Sequence, residues 1–305
     1  MNFVELLLPH FALIAVGFSI SRFTRLRRDV WAQIDAVVYY FLFPTLLFLS
    51  ITKTQIDVGA ASRFIVAGLL LAATTVALTY SQPHWPWVGR HIDRRDHAAS
   101  AQVGFRFNSF IAIGVVGTAM GDEGMLLLGV LIGVCVPIFN MAAVYPMARH
   151  GDLKLATQLK RNPLVWATTS GLVFNLMGLQ IPGWLLPTLS QIGQAGLVLG
   201  LMAAGAGMTF MDLRRAKMLT TAVLGMRHII SPLVATGLAW ILQLPTLEAS
   251  VLITFSAVPT ASSCYVLAAS MGYNGGLVAA MVTFSTLAAA LSLPWAMGVL
   301  LPWMG

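Results

Sequence analysis

Apolar blocks recur from one end of the chain to the other, near 3–21, 32–51, 62–81, 98–119, 124–148, 163–180, 185–211, 217–242, 246–270 and 276–302, with short polar breaks between them. A helix rising 1.5 Å per residue needs about 20 residues to cross a hydrocarbon core of about 30 Å, and each block is close to that length. The pattern predicts ten transmembrane helices. Composition supports this: 58% of residues are hydrophobic and 10% are charged, against roughly 25% charged in a soluble domain. A soluble fold is excluded, and the expected class is an all-α integral membrane protein forming one membrane domain.

The formal net charge of +7 raises the question of nucleic acid, but the basic residues sit in short clusters between apolar blocks, where they set membrane orientation. Arg22, Arg25, Arg27 and Arg28 follow the first block, Arg90, Arg94 and Arg95 the third, Arg149, Lys154, Lys160 and Arg161 the fifth, and Arg214, Arg215 and Lys217 the seventh. These are fourteen of the 18 basic residues; even-numbered loops keep Lys53 and Arg63, and Arg106 and Arg227 lie inside blocks. The first block carries Glu5 with no basic residue before it, the reverse of a signal peptide. The positive-inside rule then places the odd loops in the cytoplasm and both termini outside, as expected for a bacterial inner membrane protein. Nucleic acid is not an expected partner; the lipid bilayer is.

The sequence also repeats itself. Met120-Gly-Asp-Glu-Gly124 closes the fourth block and Met271-Gly-Tyr-Asn-Gly275 closes the ninth, 151 residues later. Pro9 and Pro163, near the starts of blocks one and six, are 154 apart, as are Gly17 and Gly171. A duplicated unit of five spans is odd-numbered, so its copies, residues 1–150 and 151–305, must run in opposite orientation. Inverted five-helix repeats are a signature of secondary transporters, which hold their ligand at the repeat interface near the bilayer midplane.

Chemistry concentrates at two places in that repeat. The 151-residue offset carries Asn108 onto Pro259 and Ser109 onto Thr260, and Pro259 is followed by Thr260, Ala261, Ser262 and Ser263. A proline removes a backbone donor and presses on the preceding turn, so the ninth helix should kink or break there. Opened backbone survives within a membrane only where protein or a wet cavity receives it. Arg106 is the second signal. A guanidinium near the bilayer centre costs at least about 2.5–3.5 kcal/mol and faces a partner or a cavity; its planar fork suits a carboxylate, and half-helix N-termini would add positive potential beside it. The competing role is a structural ion pair with Asp35 in a neighbouring span. Arg227 and His228 lie toward the start of the eighth block, where snorkelling to the interface accounts for the arginine, and His10 reads as interfacial. The small-residue run Gly200–Gly207, including Gly205, suits close helix contact or ligand approach; Pro44 stands at roughly the equivalent place in the first repeat. Cys135 and Cys264 read as packing residues, since neither has a partner at metal-ligand spacing.

Phe43-Pro44, Arg106-Phe-Asn108, Pro137-Ile-Phe-Asn140, Lys160-Arg-Asn-Pro163 and Val258-Pro259-Thr-Ala-Ser-Ser-Cys-Tyr265 stand in an order and spacing that resembles the auxin efflux carrier family, whose bacterial members include malonate carriers. The resemblance implies two inverted five-helix repeats with broken, crossing fourth and ninth helices, a scaffold part distinct from a transport part, export or exchange of carboxylate anions, and often a homodimer. The short segment 149–162 resembles the bacterial form. One departure is that no proline stands beside Asn108.

The leading expectation is therefore a secondary carrier of a small mono- or dicarboxylate, malonate- or auxin-like, with Arg106, Asn108, Ser109, Pro259, Thr260, Ser262 and Ser263 binding substrate and Asp35, Pro44, Asn140 and Gly205 lining the site or its scaffold. A sodium-coupled symporter of the bile-acid type is the alternative, but no glutamate or glutamine joins the oxygen ligands at the two segments, so sodium is not supported as a cofactor. A membrane receptor without transport is the third class. Enzymatic chemistry is not expected: the chain lacks a helical histidine pair, a Gly-x-Ser-x-Gly elbow and a phosphate-binding Walker loop. The topology has a direct check. A cysteine at Lys154 should react with an impermeant thiol reagent only from the cytoplasmic side and one at Gln180 only from outside; labelling of both from one side overturns the ten-span arrangement.

Overall fold

The computed structural model describes residues 3–26, 28–53, 62–149, 163–208, 213–261 and 263–302, and no strand occurs among them. Helix α1 spans Phe3–Phe23, and α2, Arg28–Val37, runs through a π-helical turn, Val38–Leu42, into α3, Phe43–Lys53. Then follow α4 Ser62–Ser81, α5 Arg94–Phe105, α6 Ser109–Arg149, α7 Pro163–Leu176 and α8 Leu186–Ala206. Helix α9, Lys217–Gly225, leads through a second π turn, Met226–Ile230, into α10, Ser231–Ile241. The chain continues with α11 Thr246–Ala257, α12 Ser263–Ser270 and α13 Gly275–Trp295, which ends in a third π turn, Ala296–Leu300. By length and composition, five stretches among the described residues can cross a membrane: Ser62–His84, Glu123–Ala148, Leu186–Ala203, Lys217–Ile241 and Gly275–Leu300. Shorter apolar helices include Ala12–Phe23, Val30–Leu46, Ile111–Gly121 and Thr246–Ala257.

The three π turns share one cause. Each ends two residues before a proline, at Leu42 before Pro44, Ile230 before Pro232 and Leu300 before Pro302. A proline cannot donate to the carbonyl four residues back and its ring collides with it, so the preceding turn widens rather than the helix ending. Glycines end helices where a turn must reverse. Gly121 has φ 62° inside α6 and divides it into two helical segments, and Gly272 has φ 77° between α12 and α13. Both are the glycine of the Met-Gly motif, 151 residues apart. A side chain with Cβ rarely adopts such a φ, which accounts for glycine at both places.

The core is continuous under the helix breaks. Phe107 and Phe255 stack with ring centroids 4.2 Å apart, and Phe139 lies 6.1 Å from Phe107 and 5.7 Å from Phe105. Trp87, Trp166, Trp184 and Trp240 are all exposed, as suits aromatic rings at a membrane–water boundary. Helices α1 and α8 meet almost backbone to backbone. A Cβ on Gly17 would stand 1.9 Å from the Met202 carbonyl oxygen, and one on Gly205 would stand 1.8 Å from that of Ile14. Of the two uses open to Gly205, helix contact is the one that the geometry realises.

Gly205→Ala should therefore force α1 and α8 apart and destabilise by about 1–3 kcal/mol or more. Gly237→Ala, at a helical site where a Cβ meets nothing within 4 Å, should stabilise by about 0.5–1 kcal/mol. Thermal unfolding of both variants in detergent checks this, and shifts of equal sign would contradict it.

Candidate binding site at two helix breaks

The fourth and ninth apolar blocks are each two helices. Residues 106–108 leave the helix between α5 and α6, and the second interruption follows α11, where Val258 is extended at φ −62°, ψ 152°. Pro259 explains the second break. The first has no proline, and two side chains take its place. Asn108 caps α6, its Oδ1 accepting from Ile111 N at 3.2 Å, which gives the chain a reason to restart there. Arg227 takes the other end, with Nη1 3.5 Å from the Phe105 carbonyl oxygen.

The two breaks touch. The Asn108 N–H donates to the Pro259 carbonyl at 2.8 Å, joining the very pair that the repeat offset aligns. Arg227 binds the second break more extensively: Nε donates to Val258 O at 2.7 Å, and Nη2 donates to Val258 O at 2.5 Å and to Phe255 O at 3.1 Å. This corrects the snorkelling expectation. Arg227 is 2% exposed and stands ten residues beyond Lys217, about 15 Å along a helix, which is half the hydrocarbon thickness. The signal available in the sequence is an arginine ten residues inside a span and four residues before a Ser-Pro pair.

His228 is the second residue that the sequence reading missed. Its Nδ1 lies 2.8 Å from Ser292 Oγ and its Nε2 2.8 Å from Ser285 Oγ. Ser292 Oγ donates to Ala257 O at 3.3 Å, and the Thr260 N–H donates to Ser285 Oγ at 3.0 Å. Each hydroxyl has one proton to give. Ser292 uses its proton on Ala257, so the ring's Nδ1 carries the hydrogen and Nε2 receives that of Ser285. One neutral tautomer satisfies the whole chain and ties the second break to α13.

Arg106 is also buried, 6% exposed. Its Nη1 donates to Gln102 Oε1 and its Nη2 to Ser263 Oγ, both at 2.9 Å, and Cys264 Sγ lies 3.9 Å from Nη1. Gln102, unmarked in the sequence, also donates from Nε2 to Cys264 O at 3.0 Å. No carboxylate pairs with Arg106 among the described residues. The side chain of Asp35 lies outside them, although Tyr39, one turn later, is within electrostatic reach of Arg106. Arg106, Ser109, Asn140 and Ser263, with Phe107, Val136, Phe139 and Ala261, line one cavity of about 30 Å³. Asn140 is 2% exposed, and its Nδ2 has no hydrogen-bond partner among the described residues.

The expected site residues thus divide. Arg106, Ser109, Ser263 and Asn140 share the cavity, and Asn108 and Pro259 hold the breaks together beside it. Thr260 is fully buried, with Oγ1 3.5 Å from Cys264 Sγ, and does not line the cavity. Pro44 and Gly205 lie elsewhere, in α3 and α8. Ser262 lies outside the described residues.

Residues 147–297 match the family described as Membrane transport protein. Over these residues, just under half of the chain, the protein is similar to this auxin-efflux-carrier-like membrane transport family. Among relatives within it, an "Uncharacterized transporter" of Methanothermobacter thermautotrophicus is 24% identical over 300 residues, covering 96% of this chain and 97% of that protein. "Uncharacterized transporter YfdV" of Escherichia coli K12 is 22% identical over 218 residues, covering 67% of this chain and 68% of the relative, and the Shigella flexneri protein of that name matches equally. The alignment with the archaeal transporter takes in both helix breaks.

Removing the Ser285 hydroxyl should strand the Thr260 N–H and His228 Nε2 together. Ser285→Ala is expected to destabilise this transporter by about 1–3 kcal/mol. Thr286→Ala, whose hydroxyl among the described residues bonds only the Val282 carbonyl of its own helix, should lose less than half as much in the same thermal assay.

Proposed function

We propose that this chain is a secondary transporter of a small organic anion, with a dicarboxylate as the best-fitting class, working by alternating access at the two helix breaks. The observation that carries the reading is the cavity where Arg106, the first residues of α6 and α12, and the unpaired Asn140 Nδ2 come together. A helix N-terminus acts as roughly half a positive charge, so two of them with one guanidinium amount to roughly +2. A buried excess of that size calls for an anion. The unpaired amide donor points to a ligand acceptor for the same reason: buried polar groups in native proteins find partners.

The architecture that suits this function is ten helices in two inverted five-helix repeats, residues 1–150 and 151–305, crossing at the breaks, in a bacterial inner membrane with both termini outside. The paired glycines Gly121 and Gly272 and the Asn108–Pro259 bond support the duplication. In this conformation the cavity has room for a water or two, far below the roughly 300–1,000 Å³ of a pocket for a drug-sized ligand. Substrate entry therefore requires the cavity to open. Helices α1, α2, α3, α7 and α8 pack largely on one another, while α5, α11, α13 and the π turn of Arg227 are tied at the breaks. Relative movement of these two groups opens the site without tearing the breaks apart. A homodimer through the first group would follow the family pattern.

A thermal-shift screen of the purified protein against mono- and dicarboxylates tests the reading, because a ligand selective for the folded state raises its stability. Stabilisation by a small dicarboxylate is expected, and indifference to all carboxylates would sink it. Arg106→Lys keeps the charge but loses the fork, so affinity should fall at least about tenfold, a loss of roughly 1.4 kcal/mol. If Arg106 instead serves as a structural partner of Asp35, Arg106→Ala should destabilise by about 3–5 kcal/mol and Asp35→Asn should restore it, with anion binding unchanged throughout.

Asn140→Leu separates binding from folding. It removes an unpaired buried donor, so the unliganded protein should keep its stability to within about 1 kcal/mol, while anion affinity falls about five- to tenfold as one hydrogen bond is lost. Wild-type affinity in that variant would remove Asn140 from the site.

A further inference from the structure

The side of the breaks opposite the proposed anion site is built from carbonyl oxygens. Phe105 O closes α5, Phe255 O and Val258 O close α11, and all three converge on one guanidinium. The C-terminal end of a helix acts as roughly half a negative charge, so two such ends amount to about −1. Interrupted membrane helices that present carbonyls and C-terminal ends in this way hold sodium or another coupling cation in secondary transporters. Here the full charge that such an ion would bring is supplied by Arg227. Its described partners are main-chain carbonyls, with no carboxylate among them.

We infer that Arg227 is a built-in substitute for a coupling cation, so that this chain holds its two breaks together, and runs, without sodium. The inference rests on the transporter reading above but concerns a different face of the breaks. Three observations support it together. The guanidinium reaches both breaks at once, as a shared ion would. It is 2% exposed, so water does not supply the compensation instead. Its delocalised charge cannot be lost at any pH the protein meets, so the compensation is permanent, whereas a bound ion would come and go with each cycle. A covalently fixed cation therefore lets the carbonyl ends stay neutralised in every conformation, and removes the thermodynamic link between a sodium gradient and anion movement.

Removing the charge should uncover the cation site. Arg227→Ser leaves the carbonyl cluster with a small hydroxyl and room for a hydrated ion. The measurement is the thermal unfolding midpoint of purified full-length protein in sodium chloride and in N-methylglucamine chloride at equal ionic strength. Wild type should melt alike in both salts. Arg227→Ser should melt lower than wild type in N-methylglucamine and rise by at least about 3 °C in sodium, saturably, as selective binding to the folded state requires. Arg227→Lys, a cation of another shape, should show no sodium effect. The idea is overturned by a monodisperse Arg227→Ser protein indifferent to sodium, or by saturable sodium stabilisation of the wild type. That second arm stands even where the serine variant does not fold. None of these measurements contains an organic anion, so a negative result leaves the carboxylate screen intact, and a failed screen leaves this one intact.

Discussion

A helix that stops in the middle of a membrane leaves its last carbonyls and its next amides with no water to meet them. This chain stops twice at one place, and the rest of the structure follows from how the four resulting ends are answered. The two carbonyl ends are drawn onto Arg227. The two amide ends are answered partly by Asn108, which caps α6, and partly by Ser285, which receives the Thr260 N–H. With the negative ends neutralised by a fixed cation, the positive ends and Arg106 remain as the uncompensated charge among the described residues. The proposed anion site is thus a consequence of the Arg227 contacts as much as of Arg106 itself.

The two arginines are easily confused by burial and depth, yet their partners separate them. Arg227 binds main-chain oxygens that exist whatever the side chains are, so its role belongs to the backbone. Arg106 binds Gln102 and Ser263, neutral side chains that hold its fork in place without cancelling its charge. A charge that is positioned but not neutralised is suited to a ligand that arrives carrying the opposite sign. His228 belongs with Arg227. Its hydrogen bonds run through Ser285 and Ser292 to the backbone of the second break, and its one N–H and one acceptor nitrogen are both committed there.

Much of this could be read in the chain before any coordinates. The apolar blocks marked where helices form, and Pro259 marked the second break because proline has a mechanical effect on backbone that does not depend on context. The Met-Gly motifs marked the ends of the fourth and ninth blocks, where the structure has glycines at positive φ. The first break was located by alignment to the second, but its cause was not legible: an N-cap asparagine and an arginine 119 positions later leave no local pattern. Arg227 was misjudged for a related reason. Hydropathy places a charge along one helix, while its role is decided by carbonyls of two other helices. Gln102 and Ser285 escaped notice since single polar residues in an apolar block are common, and only the opposing partner distinguishes a structural hydrogen bond from an ordinary one.

Departures from local rules occur in several places, since Trp31, Gln82, Ser100, Thr220 and Thr254 each bury a polar atom without a partner among the described residues and Gln243 takes φ 50°, but at the breaks two of them share one space. The three proline-widened turns and the glycine contact of α1 with α8 are strain-free solutions to local geometry. At the cavity, by contrast, a guanidinium is held without a carboxylate and an amide donor is buried without a partner, both among the described residues. Each is unfavourable for folding alone, by about 1–3 kcal/mol for the amide and at least about 2.5 kcal/mol for the charge. Tolerated together in one small space, they are not two independent defects, since a single group with one negative charge and one free acceptor relieves both. A carboxylate is such a group, and a second carboxylate would meet the half-helix amides on the same wall. The proposed dicarboxylate therefore matches what the folded chain leaves unsatisfied among the described residues, by the same accounting that explains the fold.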